Sequence, residues 1–230
     1  MKKVLITGAT SGIGLAITKK LLELKYEVYG VGRDFSKINI LDENFHPIIC
    51  DLLKYQNIEE LAKKIKKETE IDILINCAGV GFFGPHEEIN PTKLHKMISL
   101  NLEAPIILTQ LFLRELKKKR GTIINISSIT ATKASTYGCA YSATKAGLLH
   151  FSKGLFEEVR KTGVKVISIL PDITKTSFYD NLNFREGDEE DSYILPECVA
   201  NAVETVFTQR EGTVLTEIII QPQRHIIKRK

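Results

Sequence analysis

The sequence predicts an α/β fold of the doubly wound kind, a parallel sheet with helices on both faces. Three observations predict it. Short runs rich in Val and Ile alternate with longer amphipathic segments along the whole chain. The short runs show no polar alternation, which marks strands buried on both faces. The first run ends in "TGATSGIG" (7–14), a glycine-rich turn that opens directly into a helical pattern, as in a βαβ unit.

The elements follow in order. "KVLIT" is the first strand and "GLAITKKLLEL" the first helix, apolar on one face at helical spacing. "EVYGVG" and "HPIIC" read as strands two and three, and "IEELAKKIKKE" as an amphipathic helix. "IDILINCAG" is a strand running into a loop. A long helix is expected from about Pro91 to Lys118, then the strand "GTIINISS". The helix "AYSATKAGLLHFSKGLFEEVRKTG" leads to the strand "KVISIL". A helix from about Pro196 to Phe207 and a last strand "GTVLTEIII" close the pattern. With no internal repeat, low-complexity segment or linker, residues 1–230 read as one domain.

One stretch breaks the rhythm. Residues 172–196, "DITKTSFYDNLNFREGDEEDSYILP", are polar, acidic at "EGDEED" and weakly periodic. A loop of this length is usually functional or disordered, and this one follows a strand's carboxyl end, where open α/β sheets bind ligands. It is expected to be a mobile substrate lid, with a plain surface insertion as the alternative. The basic ending "RHIIKRK" reads as a solvated tail before a polyanion contact.

The chain is 43% hydrophobic and 26% charged with a net charge of +4, which excludes a disordered protein and does not call for nucleic acid. No stretch approaches the ~18 apolar residues of a membrane span. "MKKVLIT" breaks at Gly8, short of the ~7–15 apolar residues of a secretory signal. A cytoplasmic location is therefore expected. The four cysteines are scattered and read as free buried thiols; the five histidines show no metal-ligand spacing, so no metal is expected.

Chemistry concentrates at a few positions. Gly8, Gly12 and Gly14 let the backbone turn tightly, so the N–H groups of the turn, through Thr10, Ser11 and Ile13, can cradle a pyrophosphate. Arg33 follows the second strand, and Gly32 stands where an acid would bind a ribose 2′-hydroxyl. An arginine here suits a 2′-phosphate, so NADP(H) is expected rather than NAD. In "YSATK" (141–145), Tyr141 and Lys145 sit four residues apart and share a helix face. Alone, such a pair is commonly surface decoration.

Together these motifs resemble the short-chain dehydrogenase/reductase family, in its compact single-domain branch, nearly end to end. "TGATSGIG" is similar to the family's cofactor motif. "NCAG" (76–79) is similar to its Asn-Asn-Ala-Gly motif, with Cys77 replacing one Asn. Asn101 in "SLNLEAP" matches the active-site asparagine, Ser128 the serine, and Tyr141 and Lys145 the Tyr-x-x-x-Lys pair. The resemblance implies a Rossmann-like, seven-stranded parallel sheet in the order 3-2-1-4-5-6-7 and assembly into dimers or tetramers. It implies catalysis by Asn101, Ser128, Tyr141 and Lys145, with Tyr141 exchanging a proton and Lys145 lowering its pKa and binding the nicotinamide ribose. Asp51 and Leu52 would contact adenine, Asn76, Ala78 and Gly79 the cofactor, and Pro171, Ile173 and Thr176 the nicotinamide amide.

Some positions depart from the family. Asp172 replaces a glycine, which puts the local backbone in question if it needs positive φ. Ser11 replaces a basic residue often found in NADP-preferring members. His86 lies near the family's substrate region and reads as a solvated loop residue or a substrate contact. The implied activity is NADP(H)-dependent interconversion of a carbonyl and a secondary alcohol, on a small-molecule substrate. A non-catalytic NADP-binding sensor is the alternative, and the complete set of four residues argues against it. The ending "TEIIIQPQ" lacks the Gly-Gly turn of many acyl-carrier-protein reductases, which leans away from fatty-acid synthesis.

Overall fold

The structure is a computed structural model that describes residues 1–230. Strand β1 (Lys3–Thr7), helix α1 (Gly12–Glu23), β2 (Glu27–Gly32), β3 (Phe45–Ile49), α2 (Tyr55–Glu68) and β4 (Ile73–Asn76) form the first half. The second half runs through α3 (Pro91–Ile98), α4 (Ala104–Lys119), β5 (Thr122–Ile126), α5 (Cys139–Val159) and β6 (Lys165–Pro171). It ends with β7 (Phe184–Glu186), α6 (Pro196–Phe207), β8 (Glu217–Ile220) and β9 (Ile227–Arg229).

Seven strands make one parallel sheet in the order β3-β2-β1-β4-β5-β6-β8. This is the expected Rossmann-like order. Its seventh strand is the eighth in the chain because β7 lies outside the sheet. Consecutive strand residues point to opposite faces, so Ile6, Ile75 and Ile124 pack with Ile17, Leu21 and Val203 of α1 and α6. Leu5, Leu74 and Ile123 pack with Ile65, Leu108, Phe112 and Leu155 of α2, α4 and α5. No helix is long and apolar enough to cross a membrane.

The expected helix at 91–118 is not continuous. Between α3 and α4, Ser99–Glu103 forms a π-helical turn. Pro105 has no N–H to donate to the carbonyl of residue 101, so the regular ladder cannot pass this point. The helix widens instead, as it often does at functional sites, and turns Asn101 into the interior, where it is fully buried. The last strand is also shorter than "GTVLTEIII", because only Glu217–Ile220 pairs with β6.

The basic ending is not a free tail. β9 pairs antiparallel with β7 inside the polar 172–196 stretch. Arg224 forms two hydrogen bonds of 2.7 Å to the Asp191 carboxylate, and Lys228 pairs with Asp188. Lys230 Nζ donates to the carbonyls of Tyr179 and Asp180. His225 Nδ1 lies 3.0 Å from Asp172 Oδ1, and Gln221 donates to the other oxygen of that carboxylate. The acidic run and the basic ending therefore neutralise one another. Exposed ion pairs contribute only about 0–1 kcal/mol each, so the backbone pairing and the number of contacts do most of the holding. Deleting residues 224–230 should lower the hydrogen-exchange protection of β7 amides to that of a loop, because a three-residue strand is not stable alone. Protection in β5 should not change. Equal protection of β7 with and without the ending would contradict this.

Candidate active site

The site lies at the carboxyl ends of β1, β4, β5 and β6. The backbone at Gly8 has a φ of +74°, and a side chain there would press on the backbone of Ala78 at 3.0 Å. A side chain on Gly14 would fall inside the contact radius of the Gly8 carbonyl. The motif glycines are thus required where α1 starts against β1. Thr7, whose role no sequence motif marks out, accepts hydrogen bonds from Cys77 N and Ala78 N at 3.0 and 3.1 Å, tying β4's exit to the turn. Ser11 stands at the N-cap of α1 with no side-chain cap bond, and no acid lies in the first turn. The N–H groups of Gly12, Ile13 and Gly14 therefore face no carboxylate of their own turn, which suits an anion.

Thr10 lies over Gly32, and a side chain on Gly32 would overlap its methyl group and approach the Phe35 ring at 3.2 Å. Gly32 is therefore a packing glycine rather than an acid position left empty. Arg33 beside it is exposed. Asp51 Oδ1 accepts from Leu53 N at 3.1 Å, and Leu52 is buried. Asn76 is turned elsewhere: its Nδ2 donates to Asn125 Oδ1 at 2.8 Å, beneath the sheet on the α4 side. The side chain expected at the cofactor is thus a core hydrogen-bonding group. Pro171 and Ile173 are buried, and Thr176 brings its methyl group to 3.2 Å from where a Gly12 side chain would be. Asp172 has no positive φ, so the replaced glycine carries no backbone strain. Its carboxylate accepts from Ile173 N at 2.7 Å instead.

The four predicted catalytic residues converge. Asn101 Oδ1 accepts from Val80 N at 2.9 Å, and its Nδ2 donates to Val80 O and to Thr144 on α5. Lys145, only 5% exposed, donates from Nζ to Ile126 O at 2.9 Å. A side chain on Gly79 would touch both Asn101 Oδ1 (3.2 Å) and Lys145 Nζ (3.5 Å), so the two polar groups flank that glycine. Lys145 Nζ lies 5.9 Å from the Tyr141 ring centroid. Ser128, 8% exposed, accepts from Thr130 N and Thr130 Oγ1.

Burial pushes the Tyr141 phenol well above its ordinary value; Tyr179 adds to the rise and the Ser128 hydroxyl opposes it. Burial also pushes Lys145 down, to about 8. The expected lowering of the phenol by Lys145 is therefore not what this geometry gives. The ammonium is engaged with Ile126 O, and desolvation dominates both groups. The phenol is neutral near pH 7 and holds its proton more tightly than a free phenol, so it gives that proton up only to an oxygen on which negative charge has built.

Aromatic rings crowd Tyr141. Phe83 lies at 5.2 Å and Phe178 at 5.9 Å between centroids, with Phe184 and Tyr179 behind them. The 172–196 stretch looked polar, and its "SFYDNLNF" rings were the missed signal. His86 sits at the rim, with Nδ1 3.4 Å from Cys139 Sγ. All four cysteines are free, but Cys139 and Cys198 are exposed rather than buried.

A glycine turn at the start of α1 and a Tyr/Lys pair across the switch in strand order define a dinucleotide-binding α/β oxidoreductase. Comparison with known proteins gives the family. Residues 2–187 match the model of the short chain dehydrogenases, and the chain belongs to that family. It is 34% identical to the 3-oxoacyl-[acyl-carrier-protein] reductase of Rickettsia felis, over 88% of this chain and 87% of that one. It is 30% identical to a probable NADP-dependent dehydrogenase of Haemophilus influenzae, over 95% and 92%. The closed form of a serine dehydrogenase complexed with NADP+ superposes with a TM-score of 0.85 at 26% identity, covering 96% of this chain and 94% of that one. The chain is thus a dehydrogenase/reductase of a family that uses nicotinamide cofactors.

Proposed function

We propose that this chain is an NADP(H)-dependent enzyme that interconverts a carbonyl and a secondary alcohol, with Tyr141 as the proton donor in reduction. The observation that carries the reading is the meeting of Asn101, Ser128, Tyr141 and Lys145 at one end of the sheet, across Gly79 from the glycine turn. The residues present fit the cofactor, since the turn at Gly8–Gly14 offers uncapped N–H groups and no acid of its own. The nicotinamide ring supplies or accepts the hydride. Gly8, Thr10, Ser11, Gly12, Ile13 and Gly14 hold the pyrophosphate. Lys145 donates to the nicotinamide ribose, and Ile173 and Thr176 stand by the amide. Ser128 hydrogen-bonds the substrate oxygen as negative charge builds on it, and Tyr141 gives that oxygen its proton. Asn101 holds the π-helical turn and the Val80 backbone in place. Residues 172–196 cover the substrate as a lid that the chain's own ending fastens.

Arg33 sets the preference for the phosphorylated cofactor. A guanidinium can bind a 2′-phosphate with two parallel hydrogen bonds, and the acid that follows it, Asp34, is turned to its own loop, where its Oδ1 accepts from Ser36 N at 2.8 Å. Two of the relatives named above carry NADP in their descriptions. A hydrogen bond to a charged group is worth roughly 1.5–3 kcal/mol, or about 10–150-fold in affinity. Arg33→Ala should raise the Kd for NADPH by that factor and leave NADH nearly unchanged. Titration at low salt, where the charge effect is largest, decides it. Equal wild-type affinities for NADH and NADPH would end this part of the reading.

A further inference from the structure

We infer that the substrate is a neutral ketone or aldehyde bearing an aryl group, selected by Phe83, Phe178 and Phe184. The inference rests on the proposed carbonyl chemistry and adds the substrate class. The rings come from three separate places: Phe83 from the loop after β4, Phe178 from the turn at Ser177–Tyr179, and Phe184 from β7. Yet Phe83 and Phe178 both meet the Tyr141 ring, and Phe184 meets Phe83. Phe83 and Phe178 tilt against Tyr141 at 47° and 56°. Phe83 meets Phe178 and Phe184 nearly edge-on, at 77° and 89°. Tyr179 closes the group at 5.2 Å from Phe178 and 5.7 Å from Phe184. Such tilted and edge-on arrangements are those aromatic rings prefer, and a planar aromatic guest can enter the set by the same contacts.

The charges around this cage exclude an anion. Arg185 pairs with Asp188 at 2.6 Å, and Lys175 lies over the Tyr193 ring at 4.8 Å. Lys228 is held by Asp188, and Lys230 by the Tyr179 and Asp180 carbonyls. Lys145 lies beneath Tyr141, engaged with Ile126 O. Asp172 and Glu186, in contrast, are close enough to raise the Tyr179 phenol, to which burial contributes most, so the phenol stays neutral at about 12. The Asp172 carboxylate is itself taken up by His225 and Gln221, so a carboxylate or phosphate on the substrate would lose its water and find mainly apolar rings in return. The hydroxyls of Tyr141 and Ser128 leave hydrogen bonding for one oxygen, the carbonyl's. Phe178, Tyr179 and Phe184 belong to the lid segment that β9 and the basic ending fasten, so these rings shift as one unit to admit the guest beside Phe83.

The test is a panel of three ketones assayed by NADPH oxidation: phenylacetone, butanone and (4-carboxyphenyl)acetone. Burying the phenyl group predicts a kcat/KM for phenylacetone about 10–150-fold above butanone. The carboxylated compound should be at least tenfold slower than phenylacetone by the loss of about one charged-group hydrogen bond's worth of solvation. Phe83→Leu and Phe178→Leu keep apolar bulk and should each lower the phenylacetone-to-butanone ratio several-fold. Turnover of the carboxylated compound at the phenylacetone rate, or a ratio unmoved by both variants, would overturn the inference and leave the carbonyl chemistry standing. NADPH binding with no ketone consumed would overturn both.

Discussion

Tyr141→Phe should lower kcat/KM for carbonyl reduction by about 10²–10⁴-fold, the usual contribution of a positioned general acid. The fold should survive the change. The ring keeps its contacts with Phe83 and Phe178, at 5.2 and 5.9 Å, and only the hydroxyl is lost. That hydroxyl is protonated throughout the neutral range, because burial holds its pKa above the ordinary phenol value. Wild-type Tyr141 therefore carries, near pH 7, the proton that reduction consumes. NADPH should bind the variant about as tightly as the wild type. Activity above a tenth of wild type in the phenylalanine variant removes Tyr141 from the role of acid.

Lys145→Met should be more damaging, because the ammonium serves both the cofactor and the site. Loss of a charged hydrogen bond to the ribose predicts a Kd for NADPH raised about 10–150-fold, in addition to slower turnover. The pH dependence gives a sharper reading. Burial lowers Lys145 from 10.5 to about 8. The charged form is thus present below about pH 8 and is lost above it. Wild-type affinity for NADPH should weaken as pH rises from about 7 to 9, and the methionine variant should show no such slope. Cys77, which faces the lysine, is pushed to about 12 and stays neutral through this range. Stability moves in the opposite sense. Between about 8 and 10.5 the folded chain binds fewer protons than the unfolded chain, so Lys145's burial penalty shrinks as pH rises. NADPH affinity that is normal in the variant, or flat with pH in the wild type, refutes the ribose contact.

The sheet and its helices were legible because each buried strand carries an unbroken apolar run and each helix a 3.6-residue period. The glycine turn, Asn101, Ser128, Tyr141 and Lys145 were legible because their order along the chain carries a resemblance. The rest depended on distance and packing. The interruption at Ser99–Glu103 follows from Pro105, a signal present in the sequence but hidden in a good helical pattern. The pairing of β7 with β9 joins residues about forty positions apart, and three-residue strands leave no period to read. An acidic run and a basic ending each look like solvated surface when read alone. Asn76 fits the family motif by position, yet its side chain is claimed by Asn125 in the neighbouring strand. The shift of Lys145 depends on how many atoms surround it, which no local pattern shows.

The central claim is that a hydride passes between a nicotinamide cofactor and a carbonyl carbon in this site, with Tyr141 closing the proton balance. The most direct measurement is mass spectrometry of the alcohol formed from phenylacetone with NADPH deuterated at the transferable C4 position. The wild type should place one deuterium on the carbinol carbon, and Tyr141→Phe should form the labelled alcohol at least about 100-fold more slowly. An unlabelled alcohol, or label appearing as fast in the Tyr141→Phe variant, would contradict the account.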